Sequence, residues 1–335
     1  KLAGTADWWG EIDRVPVGLT EDRYVKSVEI IEVNDVDTQA ASSRDTVGGL
    51  YIYHHMIWGT AVLDENLERV GDTTSWPVHE VGRNADIFDP GAGRLLKAGS
   101  FIVSDSVHMH SNGTDTTGHM EIGFTFHPVG YEPTFKTARF GLGNGVDISI
   151  QGSKKDQELH AYTVLQQHTK IITFEPHLHA PGERMCLEAI WGYTVETLSC
   201  VGYDHNWVRG YAYEDDSVPL LPEGTILHIV GYFDNTESNI NVPDTRNWQG
   251  SGNRSVTNMF IDLGIRVTMD EEQFFDAMAQ RRENLNLGPN DHVIGCPLCL
   301  APLVAPMIEE EEEEEAEPSS NASADAQSNT VVSRN

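Results

Sequence analysis

Short apolar clusters, rather than long helical runs, set the pattern of this chain. Val, Ile, Thr and aromatic residues alternate with polar ones over a few positions, and Gly, Asp, Asn and Pro bound each cluster. Alternation of period two between turn residues marks half-buried strands, so the chain is expected to be all-β, built as sandwiches or barrels. Strands are expected at Tyr24–Val33, Gly49–Trp58, Ser100–Met109 and Met120–Phe126. A second block is expected at Thr169–Phe174, Met185–Trp191, Val195–Val201, Ile226–Phe233 and Asn258–Val267. The mostly polar stretch "QGSKKDQELH", residues 151–160, reads as the linker between blocks, and residues 1–19, with "DWWGEIDRVPVG", read as irregular.

One helix is expected. Asp270 with Gln273 has the spacing of a capping box, and "FFDAMAQRRENLN" runs on towards Gly288. This helix should pack on the second block or bridge the two. Beyond it, Glu309–Glu315 is an unbroken acidic run followed by Ser, Asn and Ala. From about residue 308 there is too little apolar surface to bury, so a disordered tail is expected. The expected division is 1–150, 160–285, and a 286–335 segment holding "CPLC" and the tail.

Charge narrows the partners. The 335 residues carry a formal net charge of −30. Phosphate binding needs clustered Lys and Arg, so nucleic acid is not expected as a partner. The acidic balance suits solubility, or attraction of cations or a basic partner. No apolar run approaches the ~18 residues of a membrane helix, so no membrane span is expected. The chain starts at Lys1 rather than Met, as a processed or trimmed product would. Asn112, Asn253 and Asn321 head N-x-S/T sequons, which are frequent by chance.

Four cysteines add a constraint. A hairpin centred near Tyr193 would set Cys186 directly opposite Cys200, at a spacing a disulfide can bridge. The alternatives are that disulfide or two buried thiols, and the disulfide would imply an oxidising, periplasmic or secreted setting. Cys296 and Cys299 form CxxC without a second such pair, and His292 does not complete a zinc site. A local disulfide, a redox pair or half of a shared site all fit.

The chemistry sits in the histidines, fourteen in all. His177 and His179, in "FEPHLHAPGERM", are two apart, so a strand would aim both at one face and let them grip one ion. The Pro-Gly turn that follows would leave them at a rim, open to substrate. His54 and His55 are adjacent, so a regular strand would separate them, and joint ligation needs a strand end, a bulge or metal binding through different ring geometry. Met259, in "TNMFIDLGI", reads as core or as a thioether ligand. A thioether joined to two imidazoles would select copper.

Together these stretches resemble the copper type II, ascorbate-dependent monooxygenases, the family of peptidylglycine α-hydroxylating monooxygenase and dopamine β-monooxygenase. The likeness is closer to the bacterial members, which are often attached to a cytochrome c. It is carried by "LTEDRYVKSVEI", "YHHM", "LLKAGSFIVSDSVHMHSNGTD", "PHLHAPGERMCLEAIWGYTVETLSCVGYDHNW", "LPEGTILHIVGYFDNTESN" and "TNMF", in family order over roughly residues 20–265. The resemblance implies two tandem β-sandwich, jelly-roll-like domains, each holding one copper, facing each other across a solvent-filled cleft. It implies His54, His55 and His108 on an electron-transferring copper, with His108 rather than His110 matching the family ligand. It implies His177, His179 and Met259 on the copper that binds O2 and hydroxylates a C–H bond. The electron donor would be ascorbate, or a separate or cut-away cytochrome, since no CxxCH haem motif is present.

The chain also departs from the animal enzymes. Glu175 stands where they place a carboxylate-binding Arg, and Ile261 and Leu263 replace their Asn and Tyr. The expected substrate is therefore a small neutral or cationic molecule rather than a peptide carboxylate. Two other classes compete: a non-catalytic copper-binding or electron-transfer protein, and a structural protein whose histidines are incidental. His110, His119 and His127 read as alternates or supporting donors, His205 as a position where the family often has an aromatic residue. His79, His160, His168, His228 and His292 have no evident partner in the sequence.

Overall fold

A computed structural model describes residues 1–36, 50–139, 142–143, 145–252, 257–288 and 290–299. The Glu309–Glu315 run, the tail expected to be disordered, and the sequon residues Asn253 and Asn321 lie outside these. Within them the chain is all-β with one helix. No described helix is long and apolar enough to cross a membrane.

Two sheets form the first half. One runs in the order Trp8–Gly10, Ser100–Met109, Tyr53–Leu63, Arg69–Ser75, with Val15–Pro16 and His79–Glu80 as short side partners. The other sets Arg23–Asn34 between Gly118–Phe126 and Ala85–Ile87, with Arg94–Leu96 also on the central strand. The central strand buries Val25, Val28 and Ile30 against Met56, Trp58 and Val107 of the first sheet and Trp76 just beyond its Arg69–Ser75 strand, which makes a sandwich. The same core takes in Ile172, Val218, Ile265 and Val267 from the second half.

The second half centres on the sheet Lys154–Val164, Ile226–Asn235, Gly182–Trp191, Thr194–Gly202. Its inner face packs Leu187, Ile229 and Phe233 against Leu178 and Phe260 of a small sheet formed by Leu142–Gly143, Phe260–Asp262 and Pro176–Leu178. Burying a side chain of this size stabilises by about 1.5–3 kcal/mol before entropy is counted.

Several expectations change. The stretch expected as a linker is mostly the edge strand Lys154–Val164, whose Gln157 and Ala161 point inward while charged neighbours face solvent. Edge strands carry such charge without loss, which is why composition alone misread it. The N-terminal stretch is not irregular throughout: Trp8–Gly10 pairs with the Ser100–Met109 strand. The run Asn258–Val267 is two strands, broken where a Cβ on Gly264 would lie 2.0 Å from the Thr173 carbonyl oxygen. Only glycine admits that close approach of two backbones.

The helix spans Glu271–Asn284, and both halves of the Asp270–Gln273 capping box are present. Phe274 and Met278 pack with Leu220 and Met269 over Cys296 and Cys299, which are disulfide-bonded. The second disulfide joins Cys186 and Cys200. Its register has an extra step: Trp191 pairs with Thr194 across a Gly192-Tyr193 turn, which alone would set Cys186 opposite Ser199. A bulge between Leu187 and Glu188 restores the Cys186–Cys200 pairing.

Candidate metal centre

The Tyr53–Leu63 strand carries the first histidines. Its pairing with Ser100–Met109 shifts by one residue between Tyr53 and His55, so the ladder bulges at His54. The bulge is what lets adjacent histidines turn to one side: Nδ1 of His54 and Nδ1 of His55 stand 3.0 Å apart. His108 lies directly opposite His55 in the ladder. Ligand atoms of His54, His55 and His108 all fall within 4.8 Å of one another, and all three rings are buried.

The outer nitrogens of His54 and His108 are accounted for. His54 Nε2 faces the His205 carbonyl oxygen at 3.3 Å, and His108 Nε2 faces the Asp7 carboxylate at 3.0 Å. Partners at Nε2 leave Nδ1 as the lone-pair donor, the tautomer that metal-binding histidines adopt. Nδ1 of His108 is buried with no hydrogen-bond partner. Trp9 stacks on His108, ring centroids 4.5 Å apart, and closes the site from the N-terminal strand.

The second set comes from the Pro176–Leu178 strand and the residue after it. His177 and His179 share a face as expected, with ring centroids 5.2 Å apart. This strand pairs with Phe260–Asp262 so that His177 opposes Ile261 and Leu178 opposes Phe260. Met259 and His179 each lie one residue beyond the last registered pair of this ladder, Leu178 and Phe260, and Met259 is half-buried. Beneath the ladder, Asp262 accepts from the backbone N–H groups of Glu175 and Gly264 and pairs with the buried Arg266.

The two histidine sets are neighbours. His55 and His177 have ring centroids 6.1 Å apart. His177 is 4 % exposed and His179 fully buried, so the pair is enclosed rather than open at a rim. The enclosed arrangement also differs from facing sites across a solvent-filled cleft.

Further residues enter: His110, which the sequence offered as an alternate or supporting donor, and His205 and Glu80, which it did not offer as donors. His110 and His205 lie 4.8 and 4.9 Å from His54 between ring centroids, both buried. Neither nitrogen of His110 nor Nδ1 of His205 has a hydrogen-bond partner. Glu80, paired with His55 across the strands, brings a buried carboxylate into contact with Nδ1 of His177. The contact lacks hydrogen-bond alignment, and both Glu80 oxygens are otherwise unpartnered. Nothing in the sequence set Glu80 apart, in a chain with 52 acidic residues.

Electrostatics follow from burial. Burial holds the His54, His55 and His179 rings well below the usual histidine range, and neighbouring histidines add to the effect. The same causes bring His110 to about 4 and His205 to about 3. Neutral imidazoles are the form that ligates a metal. Burial pushes the Glu80 carboxyl up, but His177, Arg83 and His55 more than offset this and keep it below the usual carboxylate range. A cluster of neutral imidazoles with orphaned buried nitrogens fits a transition-metal ion: buried polar atoms need partners, and a cation supplies them.

Glu175 has a different place from the one its sequence position suggested. It is fully buried and paired with Arg83, which also binds Asp86. Its charge is therefore answered within the protein and is not turned toward a substrate. No family model matches the chain, and no curated protein matches it.

Proposed function

We propose that this chain is a copper-dependent monooxygenase that hydroxylates a C–H bond of a small molecule. The supporting observation is the convergence of His54, His55 and His108, with Nδ1 of His108 unpartnered, beside His177 and His179. His54, His55 and His108 would hold one copper, and His177, His179 and Met259 the other. Bound copper would supply one-electron transfer and O2 reduction. The balance is one O2, two electrons and two protons per C–H bond, yielding an alcohol and water. The electrons come from an external donor such as ascorbate or a cytochrome.

The protein's own residues have separable roles in this reading. Asp7 and the His205 carbonyl orient the rings of His108 and His54. Trp9 excludes water from His108. The neutral rings of His54, His55 and His179 keep lone pairs for a metal at neutral pH. Two disulfides accord with a periplasmic or secreted setting.

The burial of every histidine in the two sets favours a second reading, a non-catalytic copper-binding or electron-transfer protein. Copper stoichiometry with X-ray absorption on the reduced protein tests the first. Two coppers per chain and a sulfur scatterer lost in Met259→Leu support it, together with O2 consumption and a hydroxylated product when reductant is added. Two coppers that cycle between oxidation states without O2 uptake leave the second reading. Less than one copper after reconstitution sinks both.

A further inference from the structure

We propose that Glu80 is a ligand of the buried centre, a carboxylate that joins His177 on a divalent first-row transition-metal ion. The proposal rests on the reading of the histidine cluster as a metal centre and adds a donor of a different kind to it.

Glu80 is 1 % exposed, and neither carboxylate oxygen has an aligned hydrogen bond. A buried carboxylate in that state is among the least tolerable features of a protein interior unless a cation answers it. The nearby protein cation is already committed. Arg83 donates through Nε and one terminal nitrogen to Asp86, and through the other to Glu175. Imidazoles also face Glu80: Nδ1 of His177 in contact, and His55 directly across the ladder.

Position follows from the strand register. Residues directly opposite in an antiparallel pair share a face, so Glu80 and His55 project to the same side. His177 reaches that side from the second half, and its Nδ1 meets the carboxylate without the alignment of a hydrogen bond. Two donors whose lone pairs converge in this way resemble ligands of a common ion more than a donor–acceptor pair.

The donor set has a chemical consequence. Imidazole with carboxylate suits Zn2+, Fe2+, Mn2+ or Cu2+, whereas a thioether favours Cu+. The His177–His179 pair then has a hard oxygen donor beside it, which widens the set of ions it suits beyond Cu+.

The competing role is structural, with Glu80 serving only as a counter-charge to a protonated His177. Glu80→Gln in the full chain separates the two. Metal content would be measured after loading with Cu2+ or Zn2+, with EPR of the Cu2+ form and melting curves of metal-free and loaded protein. As a ligand, Glu80→Gln weakens metal binding about tenfold or more. It also changes the Cu2+ EPR signal and leaves the metal-free protein as stable as wild type or more so. Unchanged affinity and EPR with a lower metal-free melting temperature overturn the proposal. Should the amide variant not fold, Glu80→Asp serves instead: it keeps the charge but withdraws the oxygens. Weaker binding with an altered EPR signal supports ligation, and wild-type values of both overturn it. Wild-type protein that binds no metal would instead refute the metal-centre reading itself.

Discussion

Trp9 lies flat on His108, ring centroids 4.5 Å apart and planes within 8° of parallel. An indole in van der Waals contact with a metal-bound imidazole transfers its excitation to bound Cu2+. Titration with Cu2+ should therefore quench tryptophan fluorescence, and Trp9→Phe should remove a disproportionate share of the quenching, although the chain has seven tryptophans. Equal fractional quenching in the variant would place the copper elsewhere.

Acid should destabilise the metal-free protein. His79 and His110 titrate at about 4 and His205 at about 3 because burial disfavours their charged forms. The ordinary unfolded value is about 6.5. The unfolded chain therefore binds more protons below that value, and the stability is fully present above it. It is lost as the pH falls through 6.5 towards the folded values, by up to about 1.4 kcal/mol per histidine per pH unit. Urea midpoints measured from pH 7.5 to 4.5 should fall steadily, and a flat profile would mean these rings are not buried neutral.

Arg83 and Glu175 are buried at 3 % and 0 % side-chain exposure. Removing the cation from such a pair typically costs about 3–5 kcal/mol, because a carboxylate is left uncompensated. Arg83→Ala should show a loss of that order in denaturant unfolding. Arg83→Met with Glu175→Leu should cost clearly less than the sum of the single changes. Additivity would mean that the two groups do not share their burial energy.

The Cys186–Cys200 bridge closes a loop with a sequence separation of 14. A loop of that length is worth about 3 kcal/mol in the chain-entropy picture. Replacing both cysteines by alanine should lower stability by about that amount without altering metal content, since neither cysteine belongs to the histidine cluster. Loss of metal in the variant would mean that the hairpin positions the site.

Much of the fold was legible because strand alternation is local. Ser100–Met109 was found to the residue, and the Asp270–Gln273 box marked the helix start. The edge strand at Lys154–Val164 was lost because its signal is the partner it pairs with, not its composition. For the site, the two histidine pairs were readable from spacing, and a bulge was one of the ways foreseen for His54 and His55 to share a side. Of the extra members, His110 was read as an alternate or supporting donor, but His205 and Glu80 were not. His205 lies in "YDHNW", where Asp and Asn announce a surface turn. That loop is instead pinned inward, with the Val208 N–H donating to the Val81 carbonyl, and His205 ends buried against His54. Glu80 joins the cluster through a two-residue strand too short to show periodicity. Glu175 carried an inference about substrate charge that its partner, 92 positions away, withdraws.

The presence of Ile172, Val218, Ile265 and Val267 in the first sandwich's core bears on how this protein can be dissected. A fragment stopping near residue 150 would keep His54, His55 and His108 but strip one wall from the hydrophobic interior that holds their strands. The first histidine set is therefore inseparable from sequence far downstream. Single-site variants in the intact chain, rather than truncations, are the way to assign work to each half.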